Sequence, residues 1–198
     1  IRLSRAAEYR DPETGAHILR MSHYTRLIAQ NLGLTEAEQE LLLDAAPMHD
    51  IGKVGTPDHI LLKPGRLTDE ELVIMRQHAE IGYEILKDSV SPLLRTAALV
   101  AWTHHEKFDG SGYPRGLAGE NIPLYGRIVA VADVFDALTS ARPYKLAWEV
   151  DRALDFLREG RGSHFDPACV DAFLQDMDAV LSIKDRYRDE EDIAGQKV

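Results

Sequence analysis

Cysteine is almost missing from these 198 residues: Cys169 stands alone, so no disulfide can form within the chain. A small buried residue in a reducing cytoplasm is its expected role. Long apolar runs are missing too, because charged side chains interrupt every apolar stretch well short of the roughly 20 residues that span a bilayer. Positive charge is in deficit, with 23 lysines and arginines against 33 aspartates and glutamates and a formal net charge of -10. Such a chain repels DNA and other polyanions. A small phosphate compound stays within reach if bound metal ions and a few basic residues invert the field locally. Neither strand-like alternation nor an internal repeat is visible. Ile1 is not preceded by an initiator Met or a signal peptide, so a segment is expected to be missing upstream.

Helix signals make up most of what is there. Asp11-Pro12 reads as an N-cap followed by a first-turn proline, opening a helix that runs to about Leu32 before Gly33. Thr35 with Glu38 and Thr68 with Glu71 form two capping boxes, and Ser91-Pro92 and Asp166-Pro167 repeat the cap-then-proline signal. Ile128, Val131, Ala132, Phe135 and Leu138 recur at three- and four-residue spacing on one helix face. Two stretches rich in Gly and Pro, 52–67 and 106–125, read as loops, and long ordered loops carry function disproportionately often. The charged tail from Lys184 reads as solvated or frayed helix. The expectation is one all-α domain over residues 1–198, a helical bundle with a long Gly/Pro signature loop.

Five of the eight histidines carry the chemistry. His17, His49, His78, His104 and His105 fall on or at the ends of expected helices, with Asp50 beside one and Asp133 on a later helix. They recur roughly thirty residues apart, about a helix plus its connection, so successive helices of a bundle can each turn a ligand toward one interior point. Glu13 precedes His17 by four residues and shares its helix face. A nitrogen-and-oxygen donor set without thiolate suits iron, manganese, nickel, cobalt or zinc. Seven or eight ligands oversupply one ion; a carboxylate such as Asp50 can bridge two, and a pair of ions suits in-line phosphodiester cleavage.

The motifs Arg10-Asp11-Pro12-Glu13-Thr14-Gly15-Ala16-His17, His49-Asp50-Ile51-Gly52-Lys53, His78-Ala79-Glu80-Ile81-Gly82, His104-His105-Glu106-Lys107-Phe108-Asp109-Gly110-Ser111-Gly112-Tyr113-Pro114, Val131-Ala132-Asp133-Val134-Phe135-Asp136-Ala137 and Arg142-Pro143-Tyr144-Lys145 resemble the HD-GYP domain from end to end. The resemblance implies an HD-type helical bundle that hydrolyses cyclic di-GMP to the linear dinucleotide pGpG and in some members to GMP. It implies metal ligation by Glu13, His17, His49, Asp50, His78, His104, His105 and Asp133, with Asp50 bridging and Glu13 admitting a third ion. Two or three divalent ions are expected, iron foremost. By the same analogy Lys53 reaches the scissile phosphate or the nucleophile, and Arg142 and Lys145 grip substrate phosphates. Phe108 stands where many relatives carry Trp.

Asp136, one turn after Asp133, either orients a metal-bound water or ligand imidazole or is a surface acid. Tyr113 either stacks on a guanine or faces a partner. The resemblance also implies a bacterial two-component or similar signalling context. There the domain is the output of an N-terminal receiver or sensor, its signature loop touches a GGDEF-domain protein, and a homodimer is open. Rival readings are an interaction module of weak activity, a hydrolase of the mixed cyclic GMP-AMP ring, and a general nucleoside-phosphate phosphohydrolase. The last leaves the paired histidines and the signature loop unexplained. His23, His59 and His164 match no ligand position.

Overall fold

Residues 15–141 and 146–188 are described by the computed structural model. Among them every regular element is helical: α1 (Gly15–Asn31), α2 (Glu36–Ala45), α3 (Asp58–Leu61), α4 (Asp69–Arg76), α5 (His78–Leu86), α6 (Pro92–Thr103), α7 (Leu124–Thr139), α8 (Val150–Glu159), α9 (Pro167–Leu174) and α10 (Met177–Arg186). Short 3-10 turns at Ala46–Met48, Ile51–Gly55 and Gly119–Asn121 join them. No described helix is long and apolar enough to cross a membrane.

The helix starts follow the local chemistry. Thr35 and Thr68 each close a full capping box with Glu38 and Glu71, and the Asp166 side chain accepts from the Ala168 amide. Each such cap stabilises its helix by about 1 kcal/mol. Pro92 opens α6 as expected, but the Ser91 hydroxyl makes no capping bond. The Asp11-Pro12 start lies outside the described residues.

The central helix α1 packs against α2, α7, α9 and α10 and is buried around most of its circumference. All five members of the α7 stripe, Ile128, Val131, Ala132, Phe135 and Leu138, lie in the core. Tyr24 meets the rings of Phe135 and Phe173 at 5.3 and 5.8 Å, both edge-on, and Cys169 is buried in the same cluster. Each edge-on aromatic contact adds about 0.5–1.5 kcal/mol beyond the area it buries. A second, smaller cluster of Ala45, Met48, Ile51, Leu86, Ala97 and Ala98 packs α2 and its 3-10 extension against α5 and α6.

Two expectations need correction. The stretch 52–67 is no open loop: it carries the rest of one 3-10 turn and the four-residue α3. Elements that short complete barely one turn, so no apolar periodicity betrays them. The tail from Lys184 is not frayed at its start. Helix α10 continues to Arg186, and Lys184 Nζ donates to the Thr139 carbonyl at 2.8 Å.

Candidate metal centre

The site lies where α1, the turn after α2, α5, the end of α6 and α7 converge. Gly52 makes that convergence possible. A Cβ there would collide with the His78 carbonyl oxygen and the Gly82 backbone nitrogen, so only glycine lets the turn bearing Asp50 lie against α5. As a result Asp50 Oδ1 sits 3.2 Å from His78 Nε2 and 3.6 Å from His104 Nε2.

Two nests of donors result. Asp50, His78, His104 and His105 form one; His17, His49 and Asp133 form the other. Within each nest one donor atom per residue lies within 4.8 Å of the others. Asp50 joins them, because its second oxygen, Oδ2, is 3.2 Å from His49 Nε2. His17 Nε2 and His49 Nε2 approach Asp133 Oδ1 at 3.9 and 3.8 Å.

Four imidazoles are oriented from behind. Nδ1 of His49 faces the Ala46 carbonyl at 3.0 Å, that of His78 the Met75 carbonyl at 2.7 Å, and that of His104 the carbonyls of Val100 and Ala101 at 3.1 and 3.0 Å. A carbonyl can only accept, so each Nδ1 carries the hydrogen and each Nε2 turns a lone pair inward. His17 achieves the same through Asp136, whose Oδ2 accepts from Nδ1 at 2.8 Å. Nε2 of His78 and of His104 and Oδ1 of Asp50 are buried and make no hydrogen bond of acceptable geometry. Buried polar atoms in that condition cost free energy unless something else satisfies them. Lone pairs fixed inward, buried and unsatisfied, together with carboxylates, fit a divalent cation centre.

Electrostatics point the same way. Burial pushes the Asp50 carboxyl up, but nearby positive charge, the Lys53 ammonium foremost, outweighs it and holds the group well below the usual carboxylate range. Burial lowers the pKa of His104, and burial together with His104 and His78 drives that of His105 well below normal. Both rings therefore stay neutral, the form that binds metal.

Lys53 Nζ pairs with Asp50 Oδ2 at 2.7 Å, at the edge of the nests. The Tyr113 ring stacks on His105 with centroids 4.7 Å apart, while Arg76 lies 5.2 Å over it, so the tyrosine has intramolecular partners rather than an open ring. Asp136 is fully buried and is not the surface acid that remained open from the sequence. It stands behind His17, away from the donor atoms. Glu13, Arg142 and Lys145 lie outside the described residues. His59 is exposed, His164 stacks on Phe165 at 4.1 Å, and His23 Nε2 lies 2.8 Å from the Tyr187 hydroxyl.

Sequence reasoning missed two supporting residues. Buried Glu106 accepts from the Arg115 and Leu117 amides at 2.7 and 3.0 Å and so folds the signature loop back toward His105. That fold needs Gly112, where a Cβ would strike the backbone of 105–107. Buried Arg20 grips Asp136, with Nε 2.6 Å from Oδ1. Only its place three residues after His17, on the same helix face, hinted at this.

The HD domain family model matches residues 2–169. The cyclic di-GMP phosphodiesterase response regulator RpfG of Xanthomonas campestris is 57% identical over 174 residues, which are 88% of this chain and 46% of that protein. The 3'3'-cGAMP-specific phosphodiesterase 2 of Vibrio cholerae is 46% identical over 182 residues, 92% of this chain and 35% of that protein. Among solved structures, a cyclic GMP-AMP specific phosphodiesterase of V. cholerae superposes with a TM-score of 0.66 at 21% identity, over 92% of this chain and 48% of that one, and so shares the fold. The chain belongs to the HD-domain family, in its HD-GYP branch. It spans about half the length, or less, of these relatives.

Proposed function

We propose that this chain hydrolyses cyclic di-GMP to the linear dinucleotide pGpG, and onward to GMP, in bacterial second-messenger signalling. The observation that carries the reading is the convergence of five imidazoles and two carboxylates in two nests joined by Asp50. The name of a relative 57% identical to the chain supports the substrate. His17, His49 and Asp133 would hold one divalent ion, Asp50, His78, His104 and His105 another, and Glu13, four residues before His17 in the sequence, would add a carboxylate for a third. Iron is the first candidate, with manganese, nickel, cobalt and zinc behind it. Such ions supply Lewis acidity toward phosphate oxygens and ease the deprotonation of water.

The chain's own residues do the rest. Lys53 presents an ammonium beside Asp50 for the scissile phosphate. Arg142 and Lys145, which follow the helix bearing Asp133, meet the second phosphate, which would otherwise face an acidic protein. Asp136 acts through His17 as a positioning residue. The signature loop, with Tyr113 anchored on His105, forms the rim of the site and the surface for a GGDEF-domain partner. The setting is cytoplasmic, downstream of a receiver or sensor domain, and a homodimer is compatible with it.

A second reading, hydrolysis of the mixed cyclic GMP-AMP ring, is favoured by the name of the relative that is 46% identical. Incubating metal-loaded protein with each ring and following products over time tests both. Linear pGpG from cyclic di-GMP is expected; turnover of the mixed ring alone transfers the function to the second reading, and turnover of neither refutes the first.

A further inference from the structure

We propose that Arg20 is a positioning residue of the metal centre, locking Asp136 against His17 and docking the end of α10 onto the same support. The inference rests on the metal reading above. Arg20 is 2% exposed and lies one turn after His17 on α1. Its Nε and Nη2 donate to Asp136 Oδ1 and Oδ2 at 2.6 and 3.1 Å, and Nη2 also to Ser140 Oγ at 2.8 Å. Nη1 donates to the backbone carbonyl of Tyr187 at 2.7 Å.

Asp136 Oδ2 accepts from His17 and also from the Ser140 hydroxyl, at 3.2 Å. A carboxylate turns easily about its last torsion. Without a constraint Asp136 could rotate toward Ser140 and release His17. The guanidinium fork engages both oxygens in one plane and prevents this, which the single ammonium of a lysine cannot do.

The far side of the fork ties in the last described helix. The Tyr187 ring stacks on His23 of α1 with centroids 4.8 Å apart and planes 10° from parallel, and its hydroxyl lies 2.8 Å from His23 Nε2. Lys184 adds its bond to the Thr139 carbonyl at the end of α7. Residues 184–187 are thus fastened to the seam of α1 and α7 where His17 meets Asp136. The orientation of a candidate ligand near the start of the domain depends on a segment roughly 170 residues further along the chain.

Titration of metal-free protein with Co2+, whose visible absorption reports ligand geometry, tests this independently of turnover. Arg20→Lys and Tyr187→Ala should both fold metal-free, bind Co2+ about 10- to 100-fold more weakly than wild type and show altered absorption. Because both act through one linkage, the double variant should be much less than additive. Leu157→Ala, a core truncation on α8, should melt lower yet keep the wild-type spectrum. If Arg20→Lys does not fold, Tyr187→Ala decides alone. Unchanged Co2+ affinity and spectrum in the variants that fold overturn the inference. Weakening by Arg20→Lys alone overturns the docking of α10. A wild type that takes up no Co2+ overturns the metal reading and this inference with it.

Discussion

Asp50→Asn is the sharpest test of the centre because it keeps the shape of the carboxylate that reaches imidazoles of both nests and removes its charge. Asp50 Oδ1 lies 3.2 and 3.6 Å from the Nε2 atoms of His78 and His104, and Oδ2 lies 3.2 Å from His49 Nε2 and 2.7 Å from Lys53 Nζ. Two effects follow. In metal-free protein the Lys53 ammonium loses its carboxylate, and a hydrogen bond to a charged group is worth about 1.5–3 kcal/mol. Lys53 sits at the edge and can turn to water, so the lower end of that range applies and the fold should survive. Toward a cation the loss is larger. Two unit charges about 4 Å apart interact by about 4 kcal/mol at an effective dielectric constant near 20, so removing a unit charge that faces a divalent ion costs at least that much, which is about three orders of magnitude or more in affinity. The variant should therefore melt within a few degrees of wild type, retain little metal after dialysis and show no measurable turnover of cyclic di-GMP. His59→Ala, at an exposed position, should change none of these. Full metal content together with wild-type turnover in Asp50→Asn would refute the assignment of Asp50 as the shared ligand.

Gly52→Ala should destabilise the protein by more than about 3 kcal/mol, read as a lower denaturant midpoint, because the new methyl meets the backbone of α5; an unchanged midpoint contradicts the close approach. Glu106→Ala strips the Arg115 and Leu117 amides of their acceptor at about 1–3 kcal/mol each, so hydrogen exchange at those two amides should accelerate while α7 stays protected. Burial, and then Lys107, push the pKa of His164 down to about 4 from an ordinary 6.5. The neutral ring's contribution to stability is therefore complete above about pH 6.5 and is lost as pH falls toward 4. The wild type should lose more stability over that window than His164→Gln, and parallel pH profiles would show the ring to be indifferent. Arg142→Ala with Lys145→Ala should leave metal content intact and weaken cyclic di-GMP binding some tens-fold, measured by titration calorimetry, and unchanged affinity would make the two residues ordinary surface cations.

The candidate donors that the fold gathers into two nests were legible in the sequence because their signals are local or periodic. His49-Asp50 and His104-His105 are adjacent pairs, and the spacing of about thirty residues matches the helix repeat of a bundle. Capping boxes at Thr35 and Thr68 and the apolar stripe on α7 depend on neighbours three or four residues away, which is why they could be read in one dimension. The short elements within 52–67 could not, since a single turn has no period.

Sequence by itself determined an all-helical chain, the residue types able to bind a cation, and the family. Tertiary structure decided which atom of each side chain faces inward. Nδ1 of His49, His78 and His104 is engaged by carbonyls three or four residues earlier, but what those bonds aim at exists only once α5, α6 and the turn after α2 are packed. The grouping into two nests with Asp50 between them, the burial of Asp136 behind His17, and the grip of Arg20 on Tyr187 all join residues far apart in the chain. Such contacts carry no periodic signal, because they follow from how whole helices pack and not from the spacing of residues along any one of them.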